Sequence, residues 1–71
     1  MYKYVVIELQ TAKDGKVANI VTSHDTVDEA WSKYHQILAS AATSAVPRHA
    51  AALLQSDGTL VESRFFEHME A

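Results

Sequence analysis

The sequence predicts an α+β fold of ββαββ order: a four-stranded antiparallel sheet from two Asp-Gly hairpins, with one helix packed on one face. Three observations carry this. Asp-Gly occurs twice, at Asp14-Gly15 and Asp57-Gly58, each time between apolar-rich stretches, and Asp-Gly in that setting is a strong hairpin signal. Between the hairpins lies one run with helical spacing of its apolar residues and a capping pattern at its start. The chain of 71 residues has room for one domain, 1–71, and for one small core.

The first strand is "YKYVVIELQ", with Val5, Ile7 and Leu9 on one face and Tyr2, Tyr4, Val6 and Glu8 on the other. The second is "KVANIVTS". A two-residue turn at Asp14-Gly15 sets Leu9 opposite Ile20 and Ile7 opposite Thr22. Val5, Ile7, Leu9, Ala18 and Ile20 then share one face, and Tyr4, Val6, Val17 and Val21 the other. The helix is expected over about 27–44. Thr26 is an N-cap residue with Glu29 three positions on, and Asp28 and Glu29 suit a positive helix start. Val27, Ala30, Trp31, Tyr34, Ile37, Leu38, Ala41, Ala42 and Ala45 form its apolar stripe, and Pro47 stops it. "HAAALL" reads as the third strand and "TLVESRFFEH" contains the fourth. Pairing across Asp57-Gly58 sets Leu54 opposite Val61, Ala52 opposite Ser63 and Ala50 opposite Phe65, leaving His49, Leu53, Leu60, Arg64 and Phe66 on the other face.

Both faces of this sheet are therefore partly apolar, yet one helix covers only one of them. A contiguous apolar face left open marks an interaction site, so a homo-oligomer is expected, most simply a two-fold dimer. Ala39, Ala42 and Thr43, toward the side of the helix away from the centre of the stripe, leave room for a close backbone. For Ala39, Ala41 and Ala42 helix propensity explains the residue equally well. Alanine is a weak strand former, so Ala50 to Ala52 point to close packing.

Composition excludes several classes. There is no cysteine, which removes disulfides and thiolate metal sites and fits a cytoplasmic protein. No apolar run reaches the ~20 residues of a membrane helix, and "MYKYVVIELQ" has no signal-peptide pattern. A net charge of −3 disfavours sequence-independent binding to DNA or RNA. "SHD", Ser23 to Asp25, holds the letters of a triad, but adjacent extended residues point to opposite faces. The four histidines show no i, i+4 pairing, so neither a metal nor another cofactor is expected. Glu62 and Glu67 have no acid–base spacing with them. The expectation is a protein that is not an enzyme.

One constellation could hold an anion. On a helical wheel Lys33, Ser40 and Ser44 form a row of donors along one flank of the stripe, with His35 on the other flank, and Arg48 and His49 follow the helix. With Arg64 on the last strand, these groups suit a phosphate or carboxylate. Trp31 and Tyr34 are read either as core aromatics or as a plane for a nucleobase.

The pattern Asp25-Thr26, Glu29-Ala30, Ser32-Lys33-Tyr34-His35, an alanine- and serine-rich tract, then His49-Ala50-Ala51, after a first strand "KYVVIELQT", resembles small proteins encoded by phages and prophages of Gram-positive bacteria. The resemblance spans most of the chain. It implies an accessory factor acting against host defence in the host cytoplasm, and it carries no functional residue with it. Three roles are consistent with it. The first is a homo-oligomer sequestering a small anionic ligand, such as a cyclic nucleotide, at a subunit interface. The second is an inhibitor of a host protein, acting through an open sheet face bearing Tyr2, Tyr4 and Val6 or Leu53, Leu60 and Phe66. The third is a minor virion component.

Overall fold

The computed structural model describes residues 3–68. Its elements are β1 (Tyr4–Thr11), β2 (Val17–His24), α1 (Val27–Ala42), β3 (Arg48–Gln55) and β4 (Leu60–Glu67). The four strands form one antiparallel sheet in the order β2-β1-β3-β4. The fold is the ββαββ α+β arrangement. The central pair, β1 and β3, is separated along the chain by β2 and α1, so its pairing is long-range.

The two hairpins are built alike. Ala12 N–H bonds Lys16 C=O at 2.8 Å, and Gln55 N–H bonds Thr59 C=O at 2.8 Å. Gly15 and Gly58 each donate to the carbonyl three residues back at 2.9 Å. Their φ values of +87° and +92° are ones that L residues with a Cβ rarely adopt. Asp14 Oδ1 accepts Lys16 N–H at 3.0 Å, and Asp57 Oδ1 accepts Thr59 N–H at 2.9 Å. Each loop thus has three residues, 13–15 and 56–58, with the glycine at the left-handed position.

That extra residue corrects the expected register. In the first hairpin Leu9 pairs with Asn19 and Ile7 with Val21, in place of Ile20 and Thr22. A slip of one residue exchanges faces: Val17 and Val21 join Val5, Ile7 and Leu9, while Ala18 and Ile20 join Tyr4 and Val6. In the second hairpin Ala50↔Phe65 and Ala52↔Ser63 form as expected. A register shift then sets Leu54 opposite Leu60, not Val61. Leu60 moves to the face opposite Leu53, and Val61 is the extra residue of a bulge.

The helix starts as its cap dictates, with Thr26 Oγ1 accepting Glu29 N–H at 3.2 Å. It ends at Ala42, two residues short of the expected end. There the last turn tightens: Thr43 N–H donates to Ser40 C=O and Ser44 N–H to Ala41 C=O, both at 3.3 Å. Ala45 is therefore outside the helix. Ala39, Ala42 and Thr43 are exposed.

The helix lies over β3 and β1. Val6, Leu53 and Ala51 of the sheet pack against Ala30, Tyr34 and Ile37, with Tyr4, Trp31 and Leu38 around them. Burying Leu53 or Val6 in this way contributes about 1.5–3 kcal/mol each. Ala30, Ala41 and Ala51 are all buried; their small side chains bring the helix close to β3. Ala50 and Ala52, by strand alternation, face the other way. Most of the residues considered for an open face are therefore on the covered one. Tyr4, Val6, Leu53 and Phe66 lie on the helix side, Leu60 lies on the far side, and Tyr2 falls outside the described residues.

Candidate functional site

Strand alternation separates the two residues that follow the helix. His49 turns beneath α1 and is only 4% exposed. Its Nε2 lies 2.6 Å from Glu8 Oε2, the same oxygen that accepts from Gln10 Nε2 at 3.1 Å. Arg48 turns to the opposite face. It forms an ion pair with Glu67, and its guanidinium carbon stands 5.7 Å from the centre of the Phe65 ring. Within one chain Arg48 and His49 therefore point to different layers.

The remaining expected donors are dispersed as well. Lys33 and Ser40 come together around a depression of about 150 Å³, and Glu8 lines the same depression. A carboxylate at that position opposes an anion. Ser44 lies beyond the helix, where its hydroxyl accepts Val46 N–H at 3.0 Å. His35 is exposed and stacks on Trp31, with ring centres 5.6 Å apart and planes 22° apart. Tyr34 is fully buried, a core aromatic rather than a plane open to a base. Burial, and then the Glu62 carboxylate, hold its phenol above the ordinary value of 10.0, with Arg64 acting weakly in the other direction. Arg64 sits on the helix face of β4, opposite Ala51. The eight residues do not converge on one anion-binding cleft.

The sequence reading missed Glu8. Its carboxylate and His49 form a hydrogen-bonded pair within the helix–sheet layer, with side-chain exposures of 15% and 5%. A carboxylate on a strand reads as solvent-facing until β1 is known to be central. Pairing with β3 then sets Gln10 opposite His49 and Glu8 opposite Ala51, bringing the Glu8 and His49 side chains within diagonal reach. His49 Nδ1 is buried without a hydrogen-bond partner, whereas Tyr34 Oη makes no close hydrogen bond but faces the Glu62 carboxylate. A buried atom without a partner destabilises a fold relative to a satisfied one.

Two surface features are larger than this pair. The sheet face away from α1 is uncovered. Its central strands present Val5, Ile7 and Leu9 beside Leu54, Ala52 and Ala50. Its outer strands add Val17, Val21, Leu60 and Phe65, of which Phe65 is 61% exposed. Charge is confined to the Arg48–Glu67 pair at one end. The second feature is a groove of about 600 Å³ between the β1–β2 hairpin and the α1–β3 connection, lined by apolar residues that include Val17, Ala18, Val46 and Pro47 and by Lys13 and Lys16.

Among the described residues no three His, Asp or Glu side chains converge as a metal site would require, and no helix is long and apolar enough to cross a membrane. Comparison with known proteins gave no match: no family model fits the chain, and no curated protein or solved structure is similar to it.

Proposed function

We propose that this chain is a non-enzymatic binding protein that works as a homodimer, closed by packing its two open sheet faces together. The supporting observation is the apolar face built from Val5, Ile7, Leu9, Val17, Val21, Ala50, Ala52, Leu54, Leu60 and Phe65. A second copy is the occupant that fits. Four strands of eight residues span about 19 by 26 Å, or about 500 Å² of flat area. Side-chain relief enlarges this toward the ~800 Å² per partner of a standard interface. Two twisted sheets meeting face to face make a sandwich, with a helix on each outer side. A two-fold axis pairs the apolar patch with itself, and no complementary surface has to be supplied from elsewhere.

In the phage setting that the sequence resemblance implies, a dimer of this kind would act in the host cytoplasm against a defence pathway, sequestering a small anionic signal. Light scattering on the purified chain tests the assembly. The expected mass is about 16 kDa, twice the 7.8 kDa of one chain. A mass of one chain at high micromolar concentration, in folded and soluble protein, removes the dimer. It would leave the open face to a host protein.

A further inference from the structure

We propose that the groove between the β1–β2 hairpin and the α1–β3 connection binds a small organic anion: a phosphate, carboxylate or sulfonate carried on a flat apolar body. Its volume of about 600 Å³ lies within the range of small-molecule sites, ~300–1,000 Å³. Val17, Ala18, Val46 and Pro47 supply apolar walls, and Lys13 and Lys16 are the charged residues that line it. The one acidic residue of that loop does not line the groove; Asp14 Oδ1 accepts the Lys16 backbone N–H at 3.0 Å instead. The lining thus concentrates two of the chain's six lysines and arginines on a molecule of net charge −3.

The second hairpin shows that these lysines are not needed for the turn. It closes with the same hydrogen bonds and the same left-handed glycine, yet Ser56 and Thr59 occupy the positions of Lys13 and Lys16. Turn geometry requires Asp14 and Gly15, and it closes in the second hairpin with no lysine at the two flanking positions. Of the residues that line the groove, Val17 alone belongs to the open sheet face, so ligand binding is read at the others and dimer assembly elsewhere on the sheet.

The test is a chemical-shift titration of ¹⁵N-labelled protein with 1-naphthyl phosphate, 1-naphthol and inorganic phosphate. The expected result is binding of 1-naphthyl phosphate at least tenfold tighter than either fragment, with shifts at the amides of 12–18, 45 and 46. The double variant Lys13→Ser/Lys16→Thr, which borrows the second hairpin's residues, is expected to weaken binding at least tenfold while its spectrum stays dispersed as in the parent. The proposal is overturned if the variant binds as well as the parent. It is equally overturned if naphthol binds as tightly as its phosphate, if the shifts map to Val5, Ile7, Val21, Leu54 and Phe65 of the open sheet face, or if 1-naphthyl phosphate does not bind.

Discussion

On the two central strands, the face beneath the helix carries Glu8, Gln10, His49 and Gln55 among its eight positions. The uncovered face carries only Thr11 and Arg48 as polar residues, both at the same end. An antiparallel sheet with one helix on it usually shows the reverse, apolar inward and polar outward. Here the covered face tolerates a Glu8–His49–Gln10 network, while valine, leucine and phenylalanine stand in the open. The difference teaches that helix packing accounts for only one of the two layers the sheet is built to make. The small covered core includes Ala30, Ala41 and Ala51 beside Val6, Tyr34, Ile37 and Leu53, a thin basis for a lone domain of this size. The open face supplies a second.

Substitutions on the two faces should therefore behave differently. The largest effect is expected at Leu53, which is fully buried under the helix. Leu53→Ala should lower unfolding free energy by about 2–5 kcal/mol, enough to unfold much of so small a domain, as read by urea titration at fixed protein concentration.

The Glu8–His49 pair comes next. Glu8→Ala leaves His49 buried without its one partner and should cost about 1–3 kcal/mol. Replacing both residues together, Glu8→Leu with His49→Leu, should recover most of that loss, since an apolar pair needs no partner. Recovery in the same urea assay would mark the pair as an accommodated polar island; failure to recover would mark it as required by the fold.

On the open face the effect should fall on assembly. Val21 and Phe65 are more than half exposed in one chain, so Val21→Glu with Phe65→Glu should change the intrinsic stability of that chain by only about 0.5 kcal/mol per site. The same pair should abolish the concentration dependence of the melting temperature that a dimer confers.

The smallest effect concerns pH. Tyr34 is neutral in the fold and its phenol is held above the ordinary value of 10.0, so its contribution is complete below that value. It is lost as pH rises from there through the higher folded-state value, because the unfolded chain ionises first. Stability measured from pH 9 to 11 should fall less steeply in Tyr34→Phe than in the parent.

The elements were legible in the sequence because each has a local cause. Thr26 and Glu29 start the helix, the 43–47 segment ends it, and two Asp-Gly pairs turn the hairpins. Register was less legible. A loop of two residues and a loop of three both use Asp-Gly, and the difference of one residue decides whether Ile20 or Val21 joins the open face. Strand order was not legible at all, since β1–β3 pairing joins segments on either side of the helix. That pairing buries Glu8 and brings it to His49. Strand alternation explains why the donors along the helix never met Arg48: Arg48 and His49 are consecutive, and one step along a strand is a change of face.

The most direct test of the central claim is an isotope-filtered NOE experiment on a mixture of labelled and unlabelled chains. The expected result is a set of intermolecular contacts from Ile7, Val21, Ala52, Leu54 and Phe65, and none from Leu53 or Tyr34. Intermolecular contacts from the outer helix face at Ala39, Ala42 and Thr43, or none at all in a solution of single chains, would contradict it.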